Sequence, residues 1–216
     1  SITWKASDRV SITAGQHNNF QGLEELTSSR FSSFLERSAF TDAFNFERRV
    51  GLSATFSEGA VTAQAGLFLD NLLDLDEGDD MWSFDGRLVY APKIGDVQLH
   101  FGGSAHWRDN GNLPDRGITT RYRQRPLVHT TDVRFIATPG LAVERERSFG
   151  LEAAMIRGPL HAAAEAHWLS AETLAGGGRD FFGGYAELGW YLTGGTRGYR
   201  GAKLDRTRVR RSIQGG

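Results

Sequence analysis

The stretch VQLHFGGSAHWR, residues 97–108, decides the fold class of this chain of 216 residues. Apolar or small residues alternate along it with polar residues or glycine, without a break: Val97, Leu99, Phe101, Gly103, Ala105 and Trp107 against Gln98, His100, Gly102, Ser104, His106 and Arg108. Successive side chains of a strand point to opposite faces of the sheet. The stretch therefore predicts a strand with one apolar face and one polar face.

The same alternation recurs on both sides of this strand, clearly in 50–57, 61–69, 82–90 and 160–168, and less cleanly in 148–157 and 183–193. Connections alternate in length, because 57–59, 93–96 and 157–159 are short whereas 70–81 and 108–120 are long, polar and acidic. Tight turns at one end and long loops at the other are typical of outer-membrane β-barrels. Aromatic residues near the strand ends suit girdles at the two membrane interfaces: Trp82, Tyr90, Trp107, Trp168, Tyr185 and Tyr191.

Composition excludes several classes of protein. No cysteine is present, which excludes a disulfide framework and a thiolate metal site, and a net charge of −1 gives no support for nucleic-acid binding. The longest apolar runs fall far short of the roughly 20 residues that a membrane-spanning helix needs. Mean hydropathy of −0.39 does not separate a soluble protein from a membrane barrel, since both average apolar and polar residues. No signal peptide opens the chain, so we expect that it was removed or that the true N-terminus is missing.

A soluble β-sandwich or lipocalin-like barrel also alternates, and the pattern alone leaves this alternative open. The stretch from Leu160 to Trp168 favours a pore. Its apolar face consists chiefly of alanine, whereas a soluble core prefers larger branched residues. Its polar face carries His161, Glu165 and His167, as a water-filled interior would.

One segment breaks the alternation: QGLEELTSSRFSSFLERSAF, from Gln21 to Phe40. It lies between a strand that ends near Ala14 and one that begins near Arg48. Its residues alone predict a helical or irregular insert. The simplest interpretation is a surface helix that packs through Leu23, Leu26, Phe31 and Leu35.

Several motifs resemble, in order and spacing, those of the phosphate-selective porin O and P family. They are GLEELTSSRF (22–31), FLER (34–37), RRVG (48–51), RYRQRP (121–126) with Thr131-Asp132, FGLE (149–152), GPL (158–160), Glu165, GGY (183–185) and YLTG (191–194). The resemblance covers practically the whole chain. It implies an all-β fold, an antiparallel transmembrane β-barrel of sixteen strands assembled as a trimer. We expect residues 1–216 to be one porin domain, about half of such a barrel and truncated at both ends, with residues 22–40 as an inward-folded constriction loop.

The resemblance also implies a function. We expect an outer-membrane porin of a Gram-negative bacterium that lets small anionic or polar solutes such as phosphate diffuse passively. Expected partners are phosphate or other small anions, outer-membrane lipid and lipopolysaccharide, and two further copies in a homotrimer, but no nucleic acid and no cofactor. A soluble β-barrel or sandwich binding protein is the alternative, as is an outer-membrane barrel enzyme, although no G-x-S-x-G motif supports an enzyme.

The family's basic constriction-loop residues fall on Arg30 and Arg37, which the resemblance assigns to the anion site. Arg37 has a second interpretation, as a partner of Glu24 or Glu36 that only pins the loop. Glu25 departs from the family, because phosphate-selective members carry a lysine at this place. The reversed charge would repel phosphate, so high phosphate specificity is doubtful.

Other charged groups are weaker candidates. Arg121, Arg123 and Arg125 have alternate spacing and would share one side of a strand, at the lumen or the outer rim, as anion-attracting residues or as a solvated or lipopolysaccharide-binding loop. The basic tail Arg206–Arg211 lies next to the expected truncation. Histidines on the polar faces are too far apart to share a metal and should line the lumen. We expect the polar faces of the strands to line one aqueous interior, with Gly22–Phe40 against its wall.

Overall fold

A single antiparallel sheet dominates the computed structural model, which describes residues 1–75, 78–128 and 130–210. Within these residues the pairing order is β1-β2-β3-β4-β5-β7-β10-β11-β12, and the short β6 pairs only with β7. The strands are β1 Ile2–Lys5, β2 Val10–Asn18, β3 Arg48–Glu58, β4 Val61–Phe68, β5 Trp82–Tyr90, β6 Lys93–Ile94, β7 Val97–Asp109, β10 Val143–Arg157, β11 Leu160–Thr173 and β12 Gly178–Trp190. Two small pairs lie outside this sheet: β8 Arg123–Gln124 with β9 Ile136–Ala137, and β13 Thr196–Tyr199 with β14 Leu204–Arg208.

The predicted fold class is confirmed. Each of the seven alternating stretches forms a long strand, and neighbouring strands pair antiparallel in chain order. Alternation locates these strands well because one face must be apolar and the other polar along their whole length. The sheet is open, since within the described residues β1 and β12 do not pair with each other. No helix in this part of the chain is long and apolar enough to cross a membrane.

The connections at the two ends of the sheet differ in length, with one exception. Those at 6–9, 59–60, 91–96 and 158–159 are short, and those at the opposite end, 19–47, 69–81 and 110–142, are long. The predicted alternation fails at 174–177, a tight connection at the long-connection end. Gly176 and Gly177 have φ of 77° and 117° there, which only glycine adopts without strain and which allow the tight turn.

One face of the sheet is apolar and exposed. Leu88 is 60% exposed, Phe101 50% and Leu151 48%, and the three lie on adjacent strands. Aromatic rings cluster on this face near the long connections, with centroids 4.6 Å apart for Trp82 and Trp107. A continuous apolar exterior is what a sheet facing hydrocarbon needs, and a soluble domain would bury it.

Much of the opposite, polar face is buried, which corrects the expectation of a wet interior along all of it, whereas Thr55, Thr62 and Gln64 on the same face are half-buried. His100, Glu165 and His167 are at most 4% exposed, although their types suggested water-facing positions. The reason is that two inserts cover this face. One is the segment 19–47, called here the inner segment, and the other is the hairpin formed by β13 and β14.

The inner segment is mostly irregular, with short helical turns at α1 Leu23–Leu26, Ser29–Phe31 and α2 Ala39–Ala43. Phe40 stacks on His167 with ring centroids 4.8 Å apart, so the segment lies on the polar face. Leu35 is fully exposed, which rules out the packing face proposed for a surface helix. The segment leaves the sheet at the long-connection end, and the hairpin leaves it at the short-connection end. They meet where Leu23 and Leu204 pack in one apolar cluster.

Adjacent substitutions on β3 test the two faces. Ala54 is on the exposed apolar face and Thr55 on the polar face. We predict that Ala54→Arg lowers the free energy of unfolding by about 2–4 kcal/mol in lipid vesicles, because a charge then faces hydrocarbon. Thr55→Arg, the matched control, should cost much less. Urea titrations of the vesicle-embedded protein measure both, and equal losses would contradict the assignment of faces.

Candidate functional site

Glu165 of β11 anchors the start of the inner segment. Its two carboxylate oxygens accept hydrogen bonds from the backbone N–H groups of Leu23 and Glu24, both at 2.7 Å, and Oε1 accepts a third from the Tyr185 hydroxyl at 3.0 Å. Gly22 has a φ of 84°, and a Cβ at this position would lie 2.7 Å from Glu165 Oε2. The glycine therefore permits the close approach. Glu165 has a structural role here and is not a lumen-lining group.

Glu24 closes the segment into a loop. Its carboxylate accepts hydrogen bonds from the backbone N–H of Ser38 at 2.9 Å, from the Ser38 hydroxyl, and from the Thr41 hydroxyl at 3.1 Å. Burial raises the pKa of the Glu24 carboxyl, and the hydrogen bonds from Ser38 and Thr41 oppose that shift. These bonds join the two ends of the stretch that was predicted as a constriction loop.

Glu25 and Arg37 form an ion pair inside that loop, with Oε2 and Nη1 2.8 Å apart. Arg37 also donates to the backbone oxygens of Glu25 and Thr27, at 3.2 Å each. The side chain of Asn18 donates to Glu25 Oε1 at 2.6 Å. Arg37 thus pins the segment through Glu25, one of the two arginine pairs predicted for that carboxylate.

The charge of this pair changes near neutral pH. Burial raises the pKa of the Glu25 carboxyl to about 7, and this outweighs the opposing effects of Arg37, Asn18 and Arg48. Glu24, the other carboxylate nearby, raises the pKa further. Above this pKa the carboxylate neutralises Arg37. Below it, the Arg37 charge has no counter-charge in the pair.

Arg30 and Arg37 line different clefts. Arg30 lies over the ring of Phe31 with 5.6 Å from its guanidinium carbon to the ring centroid, and Arg206 lies at 5.9 Å from the same centroid. Arg197 donates to the backbone oxygen of Phe31. Arg30 therefore joins two hairpin arginines in a cleft of about 670 Å³ near the end of β12.

The three arginines of the RYRQRP motif lie in a long connection, and only Arg123 among them belongs to a short strand. Arg121 and Arg123 line a cleft of about 970 Å³ at the long-connection end, whereas Tyr122 between them is buried. Side chains two residues apart in extended backbone point to the same side, so Arg121 and Arg123 face the cleft and Tyr122 faces away from it. Arg125 instead pairs with Asp42 of α2 at 3.1 Å.

The hairpin of β13 and β14 is the element that sequence reasoning missed. Arg87 of β5 holds its tip through one hydrogen bond, to Ala202 O at 2.8 Å. Two sheet residues fix the guanidinium group itself, because it also donates to Glu152 Oε1 at 2.7 Å and to Gln64 Oε1 at 3.0 Å. His100 extends this network, because its two ring nitrogens contact the Tyr199 hydroxyl at 2.6 Å and Glu152 Oε1 at 3.3 Å. The hairpin is thus docked on the polar face by buried groups.

A glycine at the turn, Gly201, is the sequence feature that could have indicated this hairpin. Arg200-Gly201-Ala202-Lys203 is a two-residue β-turn in which Gly201 and Ala202 have φ of 59° and 57° and Arg200 N–H donates to Lys203 O at 3.0 Å. Arg206, the first residue of the basic tail, lies in β14. The last residue of that tail, Arg211, is outside the described residues. Among residues 1–75, 78–128 and 130–210, no group of three or more histidines and carboxylates is arranged to hold a metal ion.

Comparison with known proteins agrees with the motifs. Residues 1–212 match the family model described as phosphate-selective porin O and P. An uncharacterized protein of Caulobacter vibrioides is 52% identical over 214 residues, which cover 95% of this chain and 43% of that protein. Porin O of Pseudomonas aeruginosa is 30% identical over 238 residues, which cover 95% of this chain and 52% of the relative. The chain spans about half the length of the curated relatives that it matches.

The Glu25 pair predicts a pH effect on ion preference. As the pH is lowered through about 7, Glu25 takes up a proton, Arg37 loses its counter-charge, and the preference for chloride over potassium should increase. Reversal potentials in a KCl gradient measure this preference. Glu25→Gln should show a smaller pH dependence, because this variant lacks the carboxyl group that takes up the proton. The same pH dependence in both proteins would contradict this role of Glu25.

The hairpin docking predicts a change in protease sensitivity. Arg87→Ala removes three hydrogen bonds and leaves the buried Glu152 without its arginine, a loss of about 3–5 kcal/mol. Trypsin should then cleave after Arg200 or Lys203 faster in the detergent-solubilised protein. Arg9→Ala is the control, because Arg9 forms only an exposed ion pair with Glu58 at 2.9 Å, worth about 0–1 kcal/mol. Cleavage of the Arg87 variant at the wild-type rate would contradict the docking.

Proposed function

Because the chain belongs to the phosphate-selective porin O and P family, we propose that it forms part of the wall of an outer-membrane pore for passive diffusion of small anionic or polar solutes. The distribution of apolar and polar residues between the two faces of the sheet supports this proposal most directly, because it is the reverse of that in a soluble protein. Its apolar face is exposed, and its polar face carries the inner segment and the hairpin. A soluble binding protein would bury the apolar face.

Lipid and partner contacts follow from the same polarity. We propose that the exposed apolar face contacts outer-membrane lipid, and that part of it contacts a second copy in a homotrimer. The outer cleft with Arg121 and Arg123 is proposed to face the cell exterior, where the long connections of such barrels lie. Arg125 contributes less, because Asp42 already neutralises it.

The charges support attraction of anions at the outer cleft. Within the described residues, neither Arg121 nor Arg123 has a carboxylate at ion-pair distance. Five carboxylates line the same cleft: Asp42, Glu47, Asp70 and Asp79 each pair with an arginine, and Asp74 does not. Two guanidinium groups against one unpaired carboxylate leave a small excess of positive charge, which raises the local concentration of anions. Arg30 is proposed to act in the same sense at the cleft near the end of β12.

Phosphate specificity is proposed to be relaxed, because Glu25 neutralises Arg37 where the family has a lysine. The pore should therefore conduct small anions with mild preference. The constriction role of residues 22–40 is part of this proposal, supported by the position of the segment on the polar face and by the bonds that close it. Passive diffusion needs no catalytic residues, so no chemistry is proposed.

Planar bilayers test this proposal through the phosphate concentration that halves chloride conductance. Glu25→Lys should lower it by more than about tenfold, since each of the two units of charge that change contributes roughly 2 kcal/mol at about 8 Å and an effective dielectric constant of about 20. Glu58→Lys makes the same charge change at the exposed last residue of β3 and should have little effect. Absence of conductance, or a preference for cations in the wild-type protein, would contradict the proposed function.

A further inference from the structure

We propose that the outer cleft has an apolar subsite beside Arg121 and Arg123, and that it binds organic anions that carry a hydrocarbon group, such as aryl phosphates and aryl carboxylates. This inference rests on the proposed porin function and names a class of solute for it. The apolar subsite is formed by Leu73, Leu75 and Ile118, which line the cleft together with the two arginines.

The three side chains of the apolar subsite are exposed. Leu73 is 93% exposed, Ile118 47% and Leu75 40%. The two leucines belong to the long connection 69–81 and the isoleucine to the long connection 110–142, so two connections present apolar groups to one cleft. Single exposed apolar residues are normal on a protein surface, but several gathered in one concavity are typical of a binding site.

Buried apolar side chains extend this subsite. Phe46 of the inner segment, Leu113 and Val143 also line the cleft, and each is at most 8% exposed. Sites for organic ligands are commonly lined by apolar side chains, with a few polar groups that fix the orientation of the ligand. The outer cleft has both kinds of group.

The volume of the cleft suits a solute larger than an inorganic anion. It is about 970 Å³, near the upper end of the roughly 300–1,000 Å³ that is usual for ligand pockets. A water molecule takes up roughly 30 Å³ of liquid, so an inorganic oxyanion would leave most of this space to water. An aromatic ring with an anionic group would fill more of it and would cover the exposed leucines.

The segment that carries the two arginines is held at both ends by the inner segment. The side chain of Asn45 donates to the backbone oxygen of Arg121 at 3.4 Å. Three residues beyond Arg121's neighbour Tyr122, the backbone N–H of Arg125 donates to Asp42 Oδ2 at 2.7 Å. The guanidinium groups of Arg121 and Arg123 therefore start from a fixed backbone, and guanidinium groups suit carboxylate and phosphate.

Cationic and apolar groups in one cleft favour solutes that have both an anionic end and a hydrocarbon end. An inorganic anion gains nothing from the leucines, and a neutral aromatic solute gains little from the arginines. Binding at the entrance would concentrate an organic anion there, and conduction requires only that this binding be weak enough for release.

Block of chloride current in planar bilayers tests the inference, with phenyl phosphate and inorganic phosphate as the two probes. Both are used at a pH above their second pKa, so that they carry the same charge. In the wild-type protein, phenyl phosphate should halve the conductance at a concentration about fivefold lower than inorganic phosphate, because its ring covers apolar surface. Leu73→Ser should remove this difference and leave block by inorganic phosphate unchanged.

Three further variants serve as controls. Leu72→Ser is the matched one, because Leu72 is 64% exposed in the same connection but is not among the described residues that line the cleft. The advantage of phenyl phosphate should persist in this variant. Leu73→Met keeps an apolar side chain and should stay close to wild type. Arg121→Gln removes one cation from the cleft and should weaken block by phenyl phosphate.

The outcomes separate the inference from the proposed function. Equal half-blocking concentrations of the two probes in the wild-type protein overturn the inference and leave the porin proposal standing. An advantage of phenyl phosphate that persists in Leu73→Ser also overturns it. So does an equal loss of that advantage in Leu72→Ser and Leu73→Ser, because the leucines would then act through the conformation of the connection.

A protein without conductance contradicts the proposed function, and saturation-transfer NMR then decides the inference. With the protein in lipid nanodiscs, the inference requires saturation of the phenyl protons of phenyl phosphate in the wild type. This saturation should decrease in Leu73→Ser and stay unchanged in Leu72→Ser. Its absence in the wild type would overturn the inference.

Discussion

Polar groups on the inner face of the sheet must find partners, because an unpaired polar group removed from water costs free energy. This requirement holds the two inserts in place. Glu165 accepts the backbone N–H groups that begin the inner segment, and Arg87 donates to a backbone carbonyl at the hairpin tip. Arg49 acts similarly where the segment ends, pairing with Glu47 and Asp70. The outer face has no such requirement, since its residues are apolar.

Ion pairs between these polar groups also determine which positive charges on the inner face remain without a counter-charge. Carboxylates that hold the structure also neutralise arginines, as Glu25 does for Arg37 and Asp42 for Arg125. The cations that remain without a partner are therefore the ones that an anion can meet. Within the described residues, Arg121 and Arg123 of a long connection have no carboxylate at ion-pair distance.

The strands could be predicted from sequence because their signal is local: alternation over about ten residues is enough to define two faces. The hairpin of β13 and β14 could not, since its strands are short and its main anchor joins residues 115 positions apart. The bond from Leu23 to Glu165 spans 142 positions and is equally invisible to a local pattern. Glu165 was therefore expected to face water, when the inserts in fact bury it.

The ion-pair partner of Arg37 could not be chosen from the sequence alone. Glu24, Glu25 and Glu36 are all near it in sequence, and only the path of the backbone decides among them. Glu24 is occupied by Ser38 and Thr41, which leaves Glu25 to form the pair. The acidic residue at position 25 could be read from the sequence, but which arginine it pairs with required the structure.

Site-directed spin labelling along β4 tests most directly whether this sheet separates lipid from an inner lumen. The chain has no cysteine, so single cysteines at residues 61–68 can be labelled one by one in the protein in lipid vesicles. Collision with oxygen, which concentrates in lipid, should be high at Val61, Ala63, Ala65 and Leu67. Collision with a water-soluble nickel chelate should be higher at Thr62 and Gln64. Loss of this alternation, or alternation with the opposite phase, would contradict the assignment of the two faces.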